Sequence, residues 1–268
     1  MAFDVSRRGA SNPGLTLDSV HFGYETDRTV IRGLSASLDA GRLCALIGPN
    51  AAGKTTLLRL MLGQLTPESG AVYLGGESVF CLRPERRGRS VSYVPQSGGG
   101  RFAFTVKQVV AMGRHVHRFD PDAVEQALRR CDLDAVRDRL YPELSAGQQQ
   151  RVRLARALAQ AHGEGQVMLL DEPASAMDLW HVHHTMHLLK EEAGRGLVVL
   201  TVMHDLDLAA RYADEVWLLN DGRLEASGSW DQVMVPEVLE PAYGVRLRLI
   251  QAEGIDRPMF RVDLPGRL

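Results

Sequence analysis

The sequence predicts an α/β fold in which a core of parallel strands carries an antiparallel β subdomain and an inserted α-helical subdomain. Four short apolar runs end abruptly in polar residues, which is typical of buried parallel strands that lead into a site. Strand patterns separated by glycine turns fill the amino-terminal part, and helical spacing dominates residues 97–162. With 268 residues, 45% of them apolar, the chain can bury a sizeable core.

Composition narrows the classes of function. A net charge of −2 gives no basic surface for the phosphates of nucleic acid, so no nucleic-acid partner is expected. Three widely spaced cysteines favour neither a disulfide framework nor a metal-binding pair, and they are typical of a reducing cytoplasm. No run approaches the roughly 20 apolar residues that a membrane span needs. Any membrane connection is therefore expected to come through a partner.

The elements follow in order along the chain. Polar residues rich in Ser, Gly and Pro predict a flexible N-terminus, and the runs LTLDSVHFGY, GLSASL and AVYLGG predict the antiparallel β subdomain. Beyond the parallel strands, EVWLLNDGRLEASG predicts a hairpin with an Asp-Gly turn, and the tail is compatible with a second small hairpin. The predicted divisions are a flexible N-terminus at 1–14, an α/β core with its β subdomain at 15–96 and 163–240, the helical subdomain at 97–162, and a C-terminal extension at 241–268.

Each of the four apolar runs is followed by residues suited to chemistry. LCALIG leads into GPNAAGKTT at 48–56, SVSYVP into Gln96, QVMLL into Asp171 and Glu172, and LVVLTVM into His204. Ligands of open α/β sheets bind at the carboxyl ends of the strands. The four strand ends are therefore expected to converge on one site.

The stretch GPNAAGKTT indicates the ligand of that site. Gly48, Gly53, Lys54 and Thr55 satisfy the pattern GxxxxGK(S/T) between a strand and a helical run, the context that makes a phosphate-binding P-loop credible. Backbone amides of such a loop surround phosphates, Lys54 reaches the β and γ groups, and the Thr55 hydroxyl ligates Mg²⁺. ATP and Mg²⁺ are the expected ligand and cofactor.

Two carboxylates extend this interpretation. Asp171 is the expected carboxylate near Mg²⁺, either as a direct ligand or one step removed, and Glu172 is the candidate general base for the attacking water. An alternative is that a carboxylate here caps the following helix, with Pro173 at its first position.

The stretch LSAGQQQRVRLARALAQ at 144–160 predicts a second anion site. Ser145 can cap a helix, and Ala146, Gly147 and Gln148 would then present free amides at the positive end of its dipole. Residues alone do not explain why one chain carries two such sites.

In their order, these motifs resemble those of the ABC transporter ATPases. The P-loop, YVPQ ending at Gln96, the signature LSAGQQQR, VMLLDEP, SAMD ending at Asp178 and TVMHD with His204 follow one another as in that family. The resemblance implies a P-loop NTPase core of the RecA-like type and an active ATPase. It also implies that Tyr24 stacks on adenine, that Gln96 contacts Mg²⁺ and the attacking water, and that His204 contacts the γ-phosphate.

The family resemblance accounts for the second anion site. It implies two copies of the chain, head to tail, in which Ser145, Gly147 and Gln148 act on the ATP of the partner and Asp178 lies in the loop that links the two sites. The predicted nucleotide-binding residues are Tyr24, Gly48, Pro49, Asn50, Ala51, Ala52, Gly53, Lys54, Thr55, Thr56, Ser145, Ala146, Gly147, Gln148 and Asp178. The predicted catalytic residues are Lys54, Gln96, Glu172 and His204. The predicted Mg²⁺ ligands are Thr55, Gln96 and Asp171.

Four positions depart from the family pattern. Ala51 and Ala146 replace glycines, Ala174 replaces a threonine and Met177 replaces a leucine. None of these changes removes a charge or a backbone donor, so an active enzyme is still expected. Ala146 places a methyl group where the phosphate of the partner's nucleotide would approach.

Stretches after Gln96 and His204, and PAYGV at 241–245, are similar to ATPases of importers for ferric siderophores, haem and cobalamin. We therefore expect the ATPase of a ferric-siderophore or haem importer, held at the cytoplasmic face of the inner membrane by a permease dimer and served by an extracytoplasmic substrate-binding protein. Importers of cobalamin, zinc or manganese are alternatives. A soluble ABC ATPase acting on nucleic acid or ribosomes is an alternative of another class.

The run WHVHHTMH raises the question of a metal site. His183 and His187 are four residues apart on a predicted helix, a spacing that suits zinc. No nearby Cys or Glu completes an obvious ligand set, so a solvated or subunit-facing helix is the expectation.

Overall fold

The computed structural model describes residues 14–25, 28–97, 103–250 and 257–263. Apart from Gly14, the predicted flexible N-terminus lies outside the described residues. The strands are β1 (Leu15–Glu25), β2 (Arg28–Leu38), β3 (Leu43–Ile47), β4 (Ser69–Leu74), β5 (Glu77–Ser78), β6 (Val91–Val94), β7 (Val167–Asp171), β8 (Val198–Val202), β9 (Glu215–Asn220), β10 (Arg223–Ser229), β11 (Arg246–Ile250) and β12 (Met259–Asp263). The α-helices are α1 (Lys54–Met61), α2 (Pro84–Ser90), α3 (Val106–Ala111), α4 (Pro121–Arg130), α5 (Ala146–Ala161), α6 (Leu179–Gly194), α7 (Leu206–Tyr212), α8 (Trp230–Val233) and α9 (Pro236–Tyr243).

A six-stranded sheet in the order β10-β9-β3-β8-β7-β6 forms the centre of the molecule. Its strands from β9 to β6 are parallel, and β3, β7 and β8 are buried along their whole length. Complete burial explains why these strands read as continuous apolar runs, since both faces of the sheet are covered. The four predicted parallel strands are therefore confirmed.

The hairpin of β9 and β10 is also confirmed, and its turn makes a contact that the sequence does not predict. Asp221 and Gly222 both have positive φ, 45° and 73°, as a tight two-residue hairpin turn requires. The Gly222 N–H donates to the Ala52 carbonyl at 3.1 Å, so the turn is bonded directly to the P-loop. β9 itself pairs in parallel with β3, which a local hairpin pattern does not reveal.

A second, antiparallel sheet in the order β2-β1-β4-β5 lies over the central sheet. Leu57 and Leu58 of α1 share a buried cluster with Leu15 of β1, Ile31 of β2 and Trp217 of β9. Helix α1, which follows the P-loop, is thus held between the two sheets, and the packing fixes the position of the loop.

The described part of residues 97–162 contains helices α3, α4 and α5 and three short 3₁₀ turns, as expected from its spacing. The predicted boundaries of a helical subdomain stay a prediction. Helix α5 is buried on its polar side as well as on its apolar side: Arg151 Nη1 donates to the Cys131 carbonyl at 3.0 Å, and Arg153 Nη1 donates to the Tyr141 hydroxyl at 3.0 Å. The arginines therefore tie α5 to its neighbours.

The C-terminal extension contains the antiparallel hairpin of β11 and β12; its connection at 251–256 lies outside the described residues. The Phe260 N–H donates to Asp207 Oδ1 at 2.7 Å, and Arg257 Nη1 donates to the carbonyls of Ala210 and Ala213. The extension is thus fastened to α7, the helix that follows His204. In the part of the chain that the structure describes, no helix has the length and apolar character needed to cross a membrane.

Candidate active site

One open cleft lies at the carboxyl edge of the central sheet. It is lined by residues of the P-loop and by the polar residues that follow the strands, and we call it the P-loop cleft. Its lining includes Tyr24, Asn50, Ala51, Ala52, Gly53, Lys54, Thr55, Thr56, Gln96, Asp171, Glu172 and His204. The structure therefore brings together the ends of β3, β6, β7 and β8.

The P-loop is a turn built on left-handed backbone conformations. Gly48, Ala51 and Gly53 have φ values of 146°, 62° and 104°. A Cβ at Gly48 would lie 1.9 Å from the Leu219 carbonyl oxygen, so a larger residue does not fit there. Ala51 adopts the left-handed conformation without being glycine, at a cost of about 1 kcal/mol. The substitution noted in the sequence is thus tolerated rather than disruptive.

Lys54 is only 7% exposed and its amine is held inside the loop. Nζ donates to the carbonyls of Gly48 and Pro49, both at 2.7 Å. Burial lowers the pKa of Lys54, while the charges of Glu172 and Asp171 act in the opposite direction. A buried ammonium bonded to two neutral carbonyls fits an anion placed beside it, because the anion would supply charge compensation that carbonyls do not.

Asp171 and Thr55 form the oxygen-rich corner of the cleft. The Thr55 hydroxyl donates to Asp171 Oδ2 at 3.0 Å, and Asp171 is 2% exposed. Burial raises the pKa of Asp171, and the bond from Thr55 partly offsets this. A carboxylate and a hydroxyl at hydrogen-bond distance, with the Gln96 amide in the same lining, are hard oxygen donors of the kind that Mg²⁺ takes.

Glu172 lies next to His204 across two neighbouring strands. Its Oε1 is 2.6 Å from Nε2 of His204, and its backbone has a φ of 51°. A positive φ in a non-glycine residue stores strain of about 1–3 kcal/mol and persists only where the surroundings impose it. Part of that support comes from Gln150 of α5, whose Nε2 donates to the Glu172 carbonyl at 2.6 Å.

The alternative that Asp171 or Glu172 caps the following helix is wrong. Turns occupy residues 172–177, and α6 begins at Leu179 with Asp178 as its cap. Asp178 Oδ1 accepts from the His181 N–H at 2.9 Å. Asp171 and Glu172 therefore do not cap a helix, and both line the P-loop cleft.

Tyr24 is the next-to-last residue of β1 and lies at the rim of the cleft. Its hydroxyl is hydrogen-bonded to Thr56 Oγ1 at 3.2 Å, and its ring meets Phe22 edge-on at 5.0 Å. The residue remains 52% exposed. A held ring with an exposed surface suits the stacking of a flat aromatic ligand.

The signature residues line a different depression. Ser145, Ala146, Gly147 and Gln148 lie there together with Asp178, Arg151 and His181, and we call it the signature depression. Among the described residues, none lines both this depression and the P-loop cleft. The P-loop cleft and the signature depression are thus separate features of the surface.

The start of α5 differs in one detail from the sequence expectation. Ser145 Oγ accepts from the Gln148 N–H at 3.3 Å, and Gln148 Oε1 accepts from the Ser145 N–H at 3.1 Å, which is a capping box. The expectation that Gln148 presents a free amide is therefore wrong, because its own helix cap uses it. The amides of Ala146 and Gly147 are the first-turn donors left without an intrahelical acceptor.

Gly147 explains how the signature joins the loop that carries Asp178. A Cβ at this position would lie 2.6 Å from the Ala176 carbonyl oxygen. Only glycine allows α5 to approach the loop so closely. Ala146, one residue earlier, is the first residue of α5.

A family model described as ABC transporter matches residues 31–175, more than half of the chain. The chain belongs to the ABC transporter ATPases. The hemin import ATP-binding protein HmuV of Rhizobium meliloti (strain 1021) is 37% identical over 240 residues, which cover 86% of this chain and 92% of that protein. The cobalamin import ATP-binding protein BtuD of Halobacterium salinarum (strain ATCC 29341 / DSM 671 / R1) is 39% identical over 241 residues, 87% of this chain and 60% of that protein.

A solved structure of an ABC transporter in an inward-facing conformation matches with a TM-score of 0.80. The identity is 26%, and the match covers 95% of this chain and 99% of that one. The predicted fold, a P-loop NTPase core with an antiparallel β subdomain and added helices, is thereby confirmed. ATP binding and hydrolysis follow from membership of this ATPase family.

The histidine rings of the run in this ABC ATPase contact neighbouring residues. His183 Nδ1 is 2.8 Å from the Tyr212 hydroxyl, His184 Nε2 is 2.7 Å from the Arg130 carbonyl, and His187 meets the Tyr212 ring edge-on. Each of these three rings thus has a contact, and His183 and His187 share Tyr212. No group of three or more metal-ligating side chains occurs within the described ranges.

Gln150 is a residue of the site to which the sequence analysis assigns no role. It is buried, and besides its bond to Glu172 it accepts from the Ala176 N–H at 3.3 Å. The one feature of the sequence that could have indicated a role for Gln150 is its position one turn before Leu154, on a side of α5 that is buried. A polar residue at such a position needs a hydrogen-bond partner, which only the fold identifies.

Proposed function

We propose that this ABC ATPase hydrolyses ATP with Mg²⁺ in the P-loop cleft to power an importer of an iron complex, haem being the first candidate. One observation carries the catalytic part: the Glu172–His204 pair at 2.6 Å lies in the same cleft as the buried amine of Lys54 and the buried carboxylate of Asp171. The substrate class is supported by the likeness to the hemin import protein of Rhizobium meliloti over most of both chains.

The residues of the cleft divide the chemistry among them. The amides of the P-loop and the Lys54 ammonium hold the phosphates, with Lys54 leaving the carbonyls of Gly48 and Pro49 to do so. Thr55, Asp171 and Gln96 hold Mg²⁺, which supplies charge neutralisation to the phosphates when it is bound. Tyr24 stacks on the base.

Glu172 accepts the proton of the attacking water. His204 Nε2 orients that carboxylate through the bond to Oε1, which leaves Oε2 for the water. The positive φ of Glu172 aims its side chain into the cleft, and Gln150 holds the strained peptide in place. His204 also lies close enough to the cleft to contact the γ-phosphate.

The separation of the two anion sites supports a head-to-tail pair of copies. In this arrangement the ATP in the P-loop cleft of one copy is covered by Ser145, Ala146 and Gly147 of the other. Asp178 lies in the same depression and links the two sites. Each nucleotide is then bound by both copies, so ATP holds the pair together.

We place the pair on a membrane permease dimer at the cytoplasmic face of the inner membrane, with an extracytoplasmic substrate-binding protein as the further partner. Ferric siderophores are a second substrate class for the same role. Cobalamin is a further candidate, because the likeness to the Halobacterium salinarum protein is of similar strength. Zinc or manganese is an alternative substrate for the same role.

Uptake in cells that lack this chain tests the proposal. Cells complemented with the wild type should regain uptake of labelled haem, and cells carrying Glu172→Gln should not. Glu85→Gln, which changes an exposed carboxylate of α2, is the matched control and should behave as the wild type. If only cobalamin uptake or only siderophore uptake recovered, the proposed substrate would change. If uptake of none of these compounds recovered, or if RNA and not a permease stimulated the ATPase activity, the proposal would be contradicted.

A further inference from the structure

Asp178 is held by a histidine that also contacts the helical segment. We propose that His181 is a positioning residue for Asp178, which fixes the intersubunit loop to the end of α4 and the start of α5 so that the signature depression keeps one shape. The proposal rests on the proposed function, because the depression acts only when a partner's nucleotide approaches it.

Both carboxylate oxygens of Asp178 contact the same ring nitrogen of His181. Nδ1 of His181 lies 2.9 Å from Oδ1 and 2.8 Å from Oδ2, and the His181 backbone N–H also donates to Oδ1 at 2.9 Å. The backbone N–H and the imidazole ring of His181 therefore contact the same carboxylate, which caps α6. These bonds lower the pKa of Asp178 and keep it ionised.

The other nitrogen of the ring faces a second carboxylate. Nε2 of His181 lies 3.4 Å from Oδ2 of Asp132, in the turn that follows α4. Arg151 of α5 donates to that same oxygen at 3.2 Å and to the Asp132 carbonyl at 2.5 Å. A continuous chain of hydrogen-bond contacts thus runs from the signature helix through Asp132 to Asp178.

Packing holds the imidazole in this bridging position. The side chain of His181 is 18% exposed, whereas those of Asp178 and Asp132 are 67% and 66% exposed. The Trp180 ring meets the His181 ring edge-on at 4.8 Å. The half-buried ring is therefore restricted by Trp180, and it contacts two carboxylates that are more exposed than it is.

The loop between Glu172 and Asp178 is connected to α5 at both of its ends. Gln150 of α5 binds the loop at Glu172 and Ala176, and His181 connects its far end to Arg151 of the same helix. Both ends of the loop thus follow α5 when that helix moves. Since Ser145 and Gly147 lie at the start of α5, they and Asp178 reach the partner's nucleotide as one unit.

Steady-state hydrolysis by the full-length chain tests this role. His181→Ala should lower kcat about ten- to a hundredfold, the range expected when a group is displaced by about 1 Å, while the affinity of the isolated chain for a fluorescent ATP analogue stays within about twofold. His181→Asn, whose amide N–H can replace the Nδ1 contact, should recover most of kcat. His187→Ala is the matched control on the same helix and should stay close to the wild type, because His187 is exposed and contacts Tyr212 of α7.

A double-mutant cycle tests the link to α5. Asp132 has a φ of 52°, a conformation that asparagine tolerates, so Asp132→Asn removes the charge without new strain. Combined with His181→Ala it should add little to the loss caused by His181→Ala alone. Full additivity, or a normal kcat in His181→Ala, would overturn the proposal, as would equal losses in His187→Ala.

A separate readout distinguishes failure of this inference from failure of the proposed function. In a Glu172→Gln background, ATP should convert the chain to dimers whether or not His181 is present, with fewer dimers in His181→Ala. Absence of ATP-driven dimers when His181 is intact overturns the head-to-tail function and this inference with it. Dimers that form equally in both variants, with equal kcat in the parent chains, overturn the inference alone.

Discussion

Oε1 of Glu172 lies 2.6 Å from Nε2 of His204, although 32 residues separate them in the sequence. The contact follows from the pairing of two parallel strands, in which Asp171 of β7 is opposite Val202 of β8. Glu172 and His204 continue those two strands by one and two residues. Adjacent strands therefore deliver the proposed base and its orienting partner to one point of the cleft.

Replacing Glu172 by glutamine should separate binding from hydrolysis. The amide keeps the size of the side chain but cannot accept the proton of water, so kcat should fall by about two to four orders of magnitude. ATP affinity should change little, and Glu85→Gln should leave both quantities unchanged. Phosphate release and nucleotide titration measure the two effects; near-normal turnover would remove Glu172 from the role of base.

Lys54→Ala should weaken ATP binding itself. The buried amine is the cation that the P-loop holds, and its loss leaves the carbonyls of Gly48 and Pro49 facing the phosphates. We expect affinity to fall at least about tenfold, which corresponds to about 1.4 kcal/mol. Lys107→Ala, which changes an exposed lysine of α3, is the control. Equal affinities of the two variants for ATP would contradict the P-loop assignment.

Ser145→Arg should leave ATP binding to the single chain intact and abolish ATP-driven pairing and hydrolysis. The signature depression shares no described lining residue with the P-loop cleft, so a bulky cation there blocks only the partner's nucleotide. Ser145→Ala is the control for the lost helix cap, which is worth about 1 kcal/mol. Loss of nucleotide binding in the isolated Ser145→Arg chain would contradict the two-copy arrangement.

Glu125 should make the helical segment sensitive to acid. Hydrogen bonds from Arg137 and Lys107 lower its pKa from 4.5 to about 2. The pKa of Glu125 is lower in the folded chain than in the unfolded chain. The stability that the ionised Glu125 side chain contributes is therefore present above the unfolded pKa, and it is lost as the pH falls towards about 2. Urea unfolding should show a smaller difference between wild type and Glu125→Gln at about pH 3 than at about pH 6. A difference of equal size at both values would contradict the ion-pair account.

The three cysteines should differ in reactivity. Burial raises the pKa of Cys131 to about 12 and raises that of Cys44 well above its ordinary value, whereas Cys81 is exposed. Iodoacetamide at about pH 8 reacts with thiolates, so the folded chain should carry one adduct, at Cys81. Mass spectrometry after digestion locates it, and urea should release the other two sites. Labelling of Cys131 in the folded chain would mean that the turn after α4 opens readily.

Local patterns explain what could be predicted before the fold was known. The runs that became β3, β7 and β8 are apolar because both faces of their sheet are covered, and the Asp221-Gly222 turn depends on two adjacent residues that accept positive φ. The parallel pairing of β9 with β3 was not predictable in this way, since it joins segments more than 160 residues apart. Gln150 was missed for a related reason: its partners, the Glu172 carbonyl and the Ala176 amide, are main-chain groups that carry no sequence signal.

The sequence by itself determined the P-loop, the order of the motifs and the α/β class, because these depend on residue types and short spacings. Only the tertiary structure decided which of these residues meet. It pairs Glu172 with His204, uses the Gln148 amide in a helix cap, and places His181 between Asp178 and Asp132. The physical reason is that such contacts depend on strand register and on the approach of α5 to the loop after β7, which arise from packing of the whole chain.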